Sequence, residues 1–176
     1  MELIQAMDNA IVLFVYNNLR CDALDVIMKL VSRLGDGGLI WIAIAVILLL
    51  MGKKTRKMAL TVSLALIFSA LLCNLLLKPM VARVRPYDLL DITIIIDKLG
   101  DFSFPSGHTS AAFACSIGAF LNNKRVGAVL IAMAVVMAFS RLYLSVHFPT
   151  DLIGGAILGT ICALMAYKIV GKIKTN

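Results

Sequence analysis

The feature that most constrains this chain is a series of long apolar runs that carry very little charge. Five of them cover residues 38–51, 58–77, 105–121, 126–144 and 151–170. Only 15% of the 176 residues are charged, whereas a soluble domain has about a quarter. Because a bilayer core offers the backbone no hydrogen-bond partner, runs of this kind fold as membrane-spanning helices. The runs predict an integral membrane protein and exclude a soluble, fibrous or disordered chain.

The net charge of +7 is concentrated in three basic clusters at the ends of apolar runs. The clusters are Lys53, Lys54, Arg56 and Lys57; Lys124 and Arg125; and Lys168, Lys172 and Lys174. Basic residues in short alternate loops mark the cytoplasmic side of a membrane protein. Segments 79–104 and 143–150 then lie on the non-cytoplasmic face of the plasma or inner membrane. The positions of the basic residues are explained by the orientation of the protein in the membrane, so we expect no nucleic-acid partner.

The first 35 residues allow more than one arrangement. Segment 3–19 is apolar but carries Asp8 and Asn9, so it is either a sixth span or a helix in the membrane interface. Asp22–Leu34 places its apolar residues on one helical face, which is typical of an interfacial helix. The sequence therefore predicts one domain over residues 1–176. It is an all-α bundle of five to six transmembrane helices with an amphipathic N-terminal helix.

The polar residues that interrupt the apolar pattern gather at one end of the predicted bundle. By the orientation above, all of them fall on the non-cytoplasmic face, and ionisable groups at membrane depth usually have a function. The set comprises Lys78, Arg85, Ser106, Gly107, His108, Ser140, Arg141, His147 and Asp151.

These residue types together suit phosphoryl transfer. Three cations can hold phosphate oxygens, and Pro105-Ser106-Gly107 opens a helix whose free N–H groups favour an anion. The only two histidines of the chain, His108 and His147, belong to the set. One can act as nucleophile and the other as general acid. Asp151, four residues after His147, can orient that ring. The pattern predicts a phosphohistidine intermediate and no metal cluster or other cofactor.

Several residues have simpler interpretations. Arg83 has no role in the pattern, so lipid-surface snorkelling or loop solvation is expected for it. The loop acids Asp88, Asp91, Asp97 and Asp101 are expected to be solvated. An anion transporter or a non-catalytic lipid-binding protein could also use the cations. A transporter would spread its ionisable groups over several depths, and phosphate binding alone would not need both histidines and Asp151.

The motifs resemble those of the type 2 phosphatidic acid phosphatase (PAP2) superfamily of integral membrane lipid phosphatases. The first is Lys78, six residues, then Arg85-Pro86. The second is the run Pro105-Ser106-Gly107-His108. The third is Ser140-Arg141, five residues, His147, three residues and Asp151. The motifs span residues 78–151 and occur in the family's order.

The resemblance implies a role for each matching residue. His147 would form the phosphoenzyme with Asp151 orienting it, and His108 would protonate the leaving oxygen. The phosphate would be held by Lys78, Arg85 and Arg141, helped by Ser106, Gly107 and Ser140. Magnesium would not be needed. By similarity to small bacterial members, we expect a membrane lipid phosphate as substrate and favour undecaprenyl diphosphate. Phosphatidylglycerophosphate and phosphatidic acid are close alternatives.

Overall fold

Helices make up most of the chain in the computed structural model, which describes residues 2–172. The long helices are α1 Glu2–Asn18, α2 Asp22–Leu34, α3 Leu39–Leu50, α4 Lys53–Ala70, α7 Gly107–Asn122, α8 Lys124–Tyr143 and α9 Pro149–Lys172. Short helices α5 Lys78–Val81 and α6 Pro86–Leu89 follow a π-helical stretch, Leu71–Leu77, that continues α4. Lys174, a member of the third basic cluster, lies outside the described residues.

Only some of the helices are long and apolar enough to span a membrane. Within residues 2–172, Lys53–Leu89, Lys124–Tyr143 and Pro149–Lys172 are long and apolar enough to cross a bilayer. Asp22–Leu34 and Asp36–Leu50, bent by 48°, make a fourth span if they count as one. The predicted all-helical membrane protein is confirmed. The predicted count of five to six is approximate, because α7 has 16 residues and α1 has 17.

The N-terminal segments are both helical. Segment 3–19 forms α1, and the amphipathic helix has the predicted bounds, Asp22–Leu34. A 3₁₀ turn, Asp36–Gly38, then redirects the chain into α3. Gly37 and Gly38 adopt φ values of 59° and 75° there, which residues with a Cβ adopt rarely. The turn places Asp36 beside the end of the bundle that holds the predicted site.

Helix α7 lies at the centre and packs against α4, α8 and α9. Two glycines of α9, Gly155 and Gly159, make the close approach to α7 possible. A Cβ on Gly159 would lie 2.3 Å from the carbonyl oxygen of Ser110, and one on Gly155 would lie 2.6 Å from that of Ser106. Small residues four apart are a common way to bring two membrane helices into backbone contact. This contact fixes the N-terminus of α9 against the N-terminus of α7.

The described residues of the basic clusters lie at the end of the bundle away from the predicted site. Lys57 at the start of α4 lies 5.3 Å from the ring centroid of Tyr167 near the end of α9. At the other end, α5, α7, α8 and α9 bring Lys78, His108, Arg141 and Asp151 together. Twenty-residue α8 separates the two ends by about 30 Å, at 1.5 Å per residue.

The Gly159→Ala substitution tests the α7–α9 contact. The added methyl would overlap α7 backbone atoms that cannot move independently, so we expect a loss of about 1–3 kcal/mol in stability. Thermal unfolding in detergent measures it. Gly171→Ala on the same helix is the matched control, because its Cβ would meet nothing within 4 Å. Equal unfolding temperatures for the two variants would contradict the packing.

Candidate active site

A cavity of about 300 Å³ opens at the end of the bundle where the predicted site residues meet. Its lining includes six of the nine predicted residues, drawn from four different parts of the chain. They are Lys78, Arg85, Gly107, His108, Arg141 and His147. The structure therefore brings together side chains that are up to 69 positions apart in sequence. The chemistry of the cavity follows from how each of them is held.

Arg141, in the last turn of α8, is the most enclosed of the three cations. Its side chain is 1% exposed, and one guanidinium nitrogen donates to the hydroxyl of Ser32 on α2. Its Nε has no hydrogen-bond partner among residues 2–172. A buried N–H group without a partner costs free energy, and an anion in the cavity could accept from it.

Lys78 and Arg85 share a carboxylate that the sequence did not assign to the site. Both pair with Asp101, through Oδ2 and through Oδ1 at 2.6 Å respectively. The interpretation of Asp101 as a solvated loop residue is wrong, although its side chain is 52% exposed. Burial alone would raise the pKa of Asp101, but Lys78 and Arg85 lower it to about 2. Asp101 thus stays ionised and forms ion pairs with both cations.

His147 is buried in the connection between α8 and α9, and its two ring nitrogens have different partners. Nδ1 lies 3.5 Å from the Oδ2 atom of Asp151, while Nε2 lies 3.4 Å from the Nη1 atom of Arg85. Because a guanidinium can only donate, Nε2 must accept and Nδ1 must carry the proton. Burial lowers the pKa of His147 well below its ordinary value; Asp151 opposes this effect, and Arg141 and Arg85 add to it. The ring therefore presents an unprotonated nitrogen, Nε2, to the cations at neutral pH.

Asp151 lies in the first turn of α9 and has both carboxylate oxygens occupied. Its Oδ2 accepts from the N–H of Phe148 at 2.8 Å and from the hydroxyl of Ser103. Its Oδ1 accepts from Arg83 at 2.6 Å. Ser103 also lies 3.4 Å from Nδ1 of His147. The carboxylate is thus fixed on both sides, and the position of the His147 ring depends on it.

His108 is in the first turn of α7 and faces Asp36 from the turn between α2 and α3. Nε2 of His108 lies 3.0 Å from Oδ1 of Asp36, and Gly35 lies directly over the ring, leaving no room for a Cβ. The pair gives the second histidine a fixed orientation on the cavity wall. Asp36 does not belong to any of the three motifs, so the sequence gave no indication that it contacts His108.

The remaining predicted phosphate ligands are placed differently. Gly107 lines the cavity, and a Cβ there would lie 3.7 Å from the Asn74 side chain. Ser106 caps α7 by accepting from Thr109, and the hydroxyl of Ser140 donates to the carbonyl of Met137 at 2.7 Å. Neither serine lines the cavity. A direct role for the two hydroxyls therefore stays a prediction.

Arg83 is the main correction to the sequence interpretation. It was expected to snorkel or to be solvated, but its side chain is only 18% exposed. It bonds to Asp8 on α1 and to Asp151 on α9, both at 2.6 Å. Asp8 is 2% exposed. The one available signal was an acidic residue inside the apolar segment 3–19, which requires a buried partner.

Comparison with known proteins agrees with this geometry. The chain is 30% identical over 139 residues to the undecaprenyl-diphosphatase of Sulfolobus acidocaldarius, covering 77% of this chain and 66% of that protein. It is 29% identical to the lipid A 4'-phosphatase of Bacteroides thetaiotaomicron, covering 98% of this chain and 80% of the relative. The chain thus spans slightly less than two thirds of the first of these relatives.

A solved structure extends the similarity to the fold. It is the transmembrane PAP2-type phosphatidylglycerolphosphate phosphatase of Bacillus subtilis, with a TM-score of 0.80 and 29% identity. The match covers 99% of this chain and 89% of that one. The sequence model of the PAP2 superfamily matches residues 57–174, which is more than half of the chain and includes every predicted site residue. The chain therefore belongs to the PAP2 superfamily.

Proposed function

We propose that this protein is a membrane lipid phosphatase that removes phosphate through a phosphohistidine on His147. The observation that carries the proposal is the arrangement around Nε2. This atom carries no proton, and its lone pair faces Arg85 in a cavity that Arg141 and Lys78 also line. A tetrahedral phosphate bound by the three cations would lie against this lone pair. Binding would bring the nucleophile and phosphorus together before the reaction begins.

The first step is attack of His147 Nε2 on phosphorus. The P–N bond forms as the P–O bond to the lipid breaks, and protonated His108 gives its proton to the departing oxygen. The guanidinium groups of Arg85 and Arg141 stabilise the charge on the phosphoryl oxygens in the transition state. The carboxylate of Asp151 stabilises the positive charge that develops on the His147 ring.

The second step restores the enzyme. A water molecule attacks phosphorus, and His108, now neutral, takes the proton from that water as the P–N bond breaks. Inorganic phosphate leaves and His147 regains its lone pair. Each step uses only protons and electron pairs that the substrate, water and the two histidines supply. We therefore expect the reaction to proceed without a divalent metal, and residues 2–172 contain no cluster of His, Cys, Asp or Glu suited to hold one.

The substrate follows from the position of the cavity at the end of a membrane bundle. A phosphate head can enter at the polar end while its lipid tail stays in the bilayer. We favour undecaprenyl diphosphate, with the similarity to the S. acidocaldarius undecaprenyl-diphosphatase in support. Phosphatidylglycerophosphate is the second candidate, because the B. subtilis phosphatase acting on that lipid covers nearly the whole chain.

The proposed active face is the non-cytoplasmic one, in the plasma or inner membrane. Support comes from the basic clusters: their described residues lie at the opposite end of the bundle from the cavity, and positive charge marks the cytoplasmic side. An anion transporter is less favoured, since the cations line one enclosed end, while apolar residues fill the helix centres.

The direct test is phosphate release by purified protein with EDTA present. We would compare undecaprenyl diphosphate, phosphatidylglycerophosphate, phosphatidic acid and lipid A. We expect metal-independent release that falls at least about 10³-fold in His147→Ala, because the nucleophile is lost. Circular dichroism and thermal unfolding of the variant check that it is folded. Release that survives in folded His147→Ala would exclude the proposed nucleophile.

Asp101→Asn tests whether the loop carboxylate competes with phosphate for Lys78 and Arg85. Removing its charge should strengthen product inhibition by inorganic phosphate about three- to tenfold, a modest effect because Asp101 is half-exposed. Since the pKa of Asp101 is lowered to about 2, the difference from wild type should be constant between about pH 5 and 8. Asp88→Asn, which removes an exposed ion pair with Lys98, is the control. Weaker inhibition in Asp101→Asn would mean that the carboxylate holds the cations in place for phosphate.

Cys21 offers a native probe of orientation. It is exposed, whereas Cys73, Cys115 and Cys162 are buried, and its N–H donates to the hydroxyl of Tyr143 at the cavity end of α8. A membrane-impermeant maleimide should label Cys21 in intact cells. Lys54→Cys in a Cys21→Ser background should react only after permeabilisation. The reverse pattern would place the cavity on the cytoplasmic face.

A further inference from the structure

Helix α1 carries a buried carboxylate, Asp8, in a mostly apolar segment. Asp8 is buried on the same face as Val12 and Val15, which pack into the protein. An ionised group in such a position needs partners that replace its lost water. The family's sequence match begins at residue 57, so nothing in the motifs accounts for this residue. The hydrogen bonds of Asp8 must therefore explain why a carboxylate is buried at this position.

All of the contacts of Asp8 lead towards the active site. Its Oδ1 accepts from the N–H of Thr150 at 3.1 Å, and its Oδ2 accepts from the hydroxyl of the same residue. The same Oδ2 accepts from Nη2 of Arg83 at 2.6 Å, and Gln5, one turn earlier, accepts from that nitrogen at 2.8 Å. Thr150 directly precedes Asp151. Helix α1 is therefore attached to the first turn of α9, next to the carboxylate that orients His147.

Arg83 connects the two carboxylates through the two arms of its guanidinium. Nη2 binds Asp8, while Nη1 binds Oδ1 of Asp151 at 2.6 Å and the hydroxyl of Thr150 at 2.7 Å. The Cζ atom of the guanidinium lies 4.1 Å from the ring centroid of Phe148, which follows His147 in the chain. A rigid planar fork can hold two anions at a fixed separation, whereas a lysine ammonium on a flexible stem cannot.

The consequence for Asp151 is a fixed rotation of its carboxylate. Because Arg83 occupies Oδ1, only Oδ2 is directed towards Phe148 N–H, Ser103 and Nδ1 of His147. A carboxylate free to turn would lose the alignment with Nδ1, and Nε2 would then point away from the bound phosphorus.

We propose that Asp8 and Arg83 are positioning residues that hold Asp151, and through it His147, in the orientation needed for attack. The N-terminal helix is then a working part of the active site, although it lies outside the motifs. This inference rests on the proposed function, because Asp8 and Arg83 would position the nucleophile proposed there, His147.

The kinetic test uses Arg83→Lys, which keeps the positive charge but loses the planar fork, and Asp8→Asn, which keeps the size but loses the negative charge. We expect kcat to fall about 10- to 100-fold, the loss typical of a misplaced reacting group. KM should stay within about twofold, because the phosphate cations are untouched. The matched controls are Arg20→Lys and Asp25→Asn, an ion pair at 3.1 Å between the α1–α2 connection and α2, with Arg20 as exposed as Arg83. Unchanged kcat in both site variants would overturn the proposal.

A double-mutant comparison separates positioning from general stabilisation. If Arg83 acts through Asp151, then Arg83→Lys should cost no further activity, within about twofold, in an Asp151→Asn background. Losses that multiply would mean that Arg83 supports the protein independently of Asp151, and the proposal would fail.

A spectroscopic test works even if none of the offered lipids is a substrate. In a His108→Gln background the chain has one histidine, so ¹⁵N NMR of tag-free protein in detergent reports His147 alone. We expect a single tautomer with a slowly exchanging proton on Nδ1. Arg83→Lys or Asp8→Asn should produce faster exchange or a mixture of tautomers, whereas Arg20→Lys should not. Identical spectra would overturn the inference, while inactive wild-type protein would count against the proposed function only.

Discussion

The arrangement of the site depends on the hydrogen bonds and ion pairs made by the Asp151 carboxylate. It lies at the N-terminus of α9 and joins α9 to the segment before α7 through Ser103, to the segment after α4 through Arg83, and to His147. Charged groups this far from water are stable only when their hydrogen-bonding capacity is filled. Four elements of the bundle are consequently fixed relative to one another at the point where the chemistry is proposed to occur.

The membrane explains why the charges are arranged in this way. The helix surfaces that face lipid are apolar, and only 33–39% of the residues in the three clear spans are buried within the protein. Charged side chains in these spans accordingly lie near the ends. One end holds exposed lysines and arginines in water, while the other encloses cations that are paired with Asp101 or left ready for an anion. The separation places the proposed anion site at one face, and the described residues form no charged path through the bundle.

The sequence predicted most of the fold and the list of residues at the site, but not their pairing. The five apolar runs correspond in order to α3, α4, α7, α8 and α9, although the count of membrane spans is approximate. Motif spacing identified Lys78, Arg85, His108, Arg141 and His147, which do line one cavity. Asp36, Asp8 and Asp101 were missed because each acts through a contact distant in sequence, which spacing alone does not reveal. Arg83 was misjudged for the same reason, since its partners lie 75 and 68 positions away. The short α7 shows that helix length also depends on how a segment packs.

The most direct test of the central claim is to trap the covalent intermediate. In His108→Ala the second step loses its base, while p-nitrophenyl phosphate needs little acid assistance in the first step because its leaving group is stable as an anion. Rapid quenching followed by peptide mass spectrometry should therefore find phosphate on His147, stable in alkali and lost in acid, as a P–N bond requires. The same label should be absent in His147→Ala. Phosphate on another residue, or turnover by folded His108→Ala with no protein-bound phosphate at any time, would contradict the account.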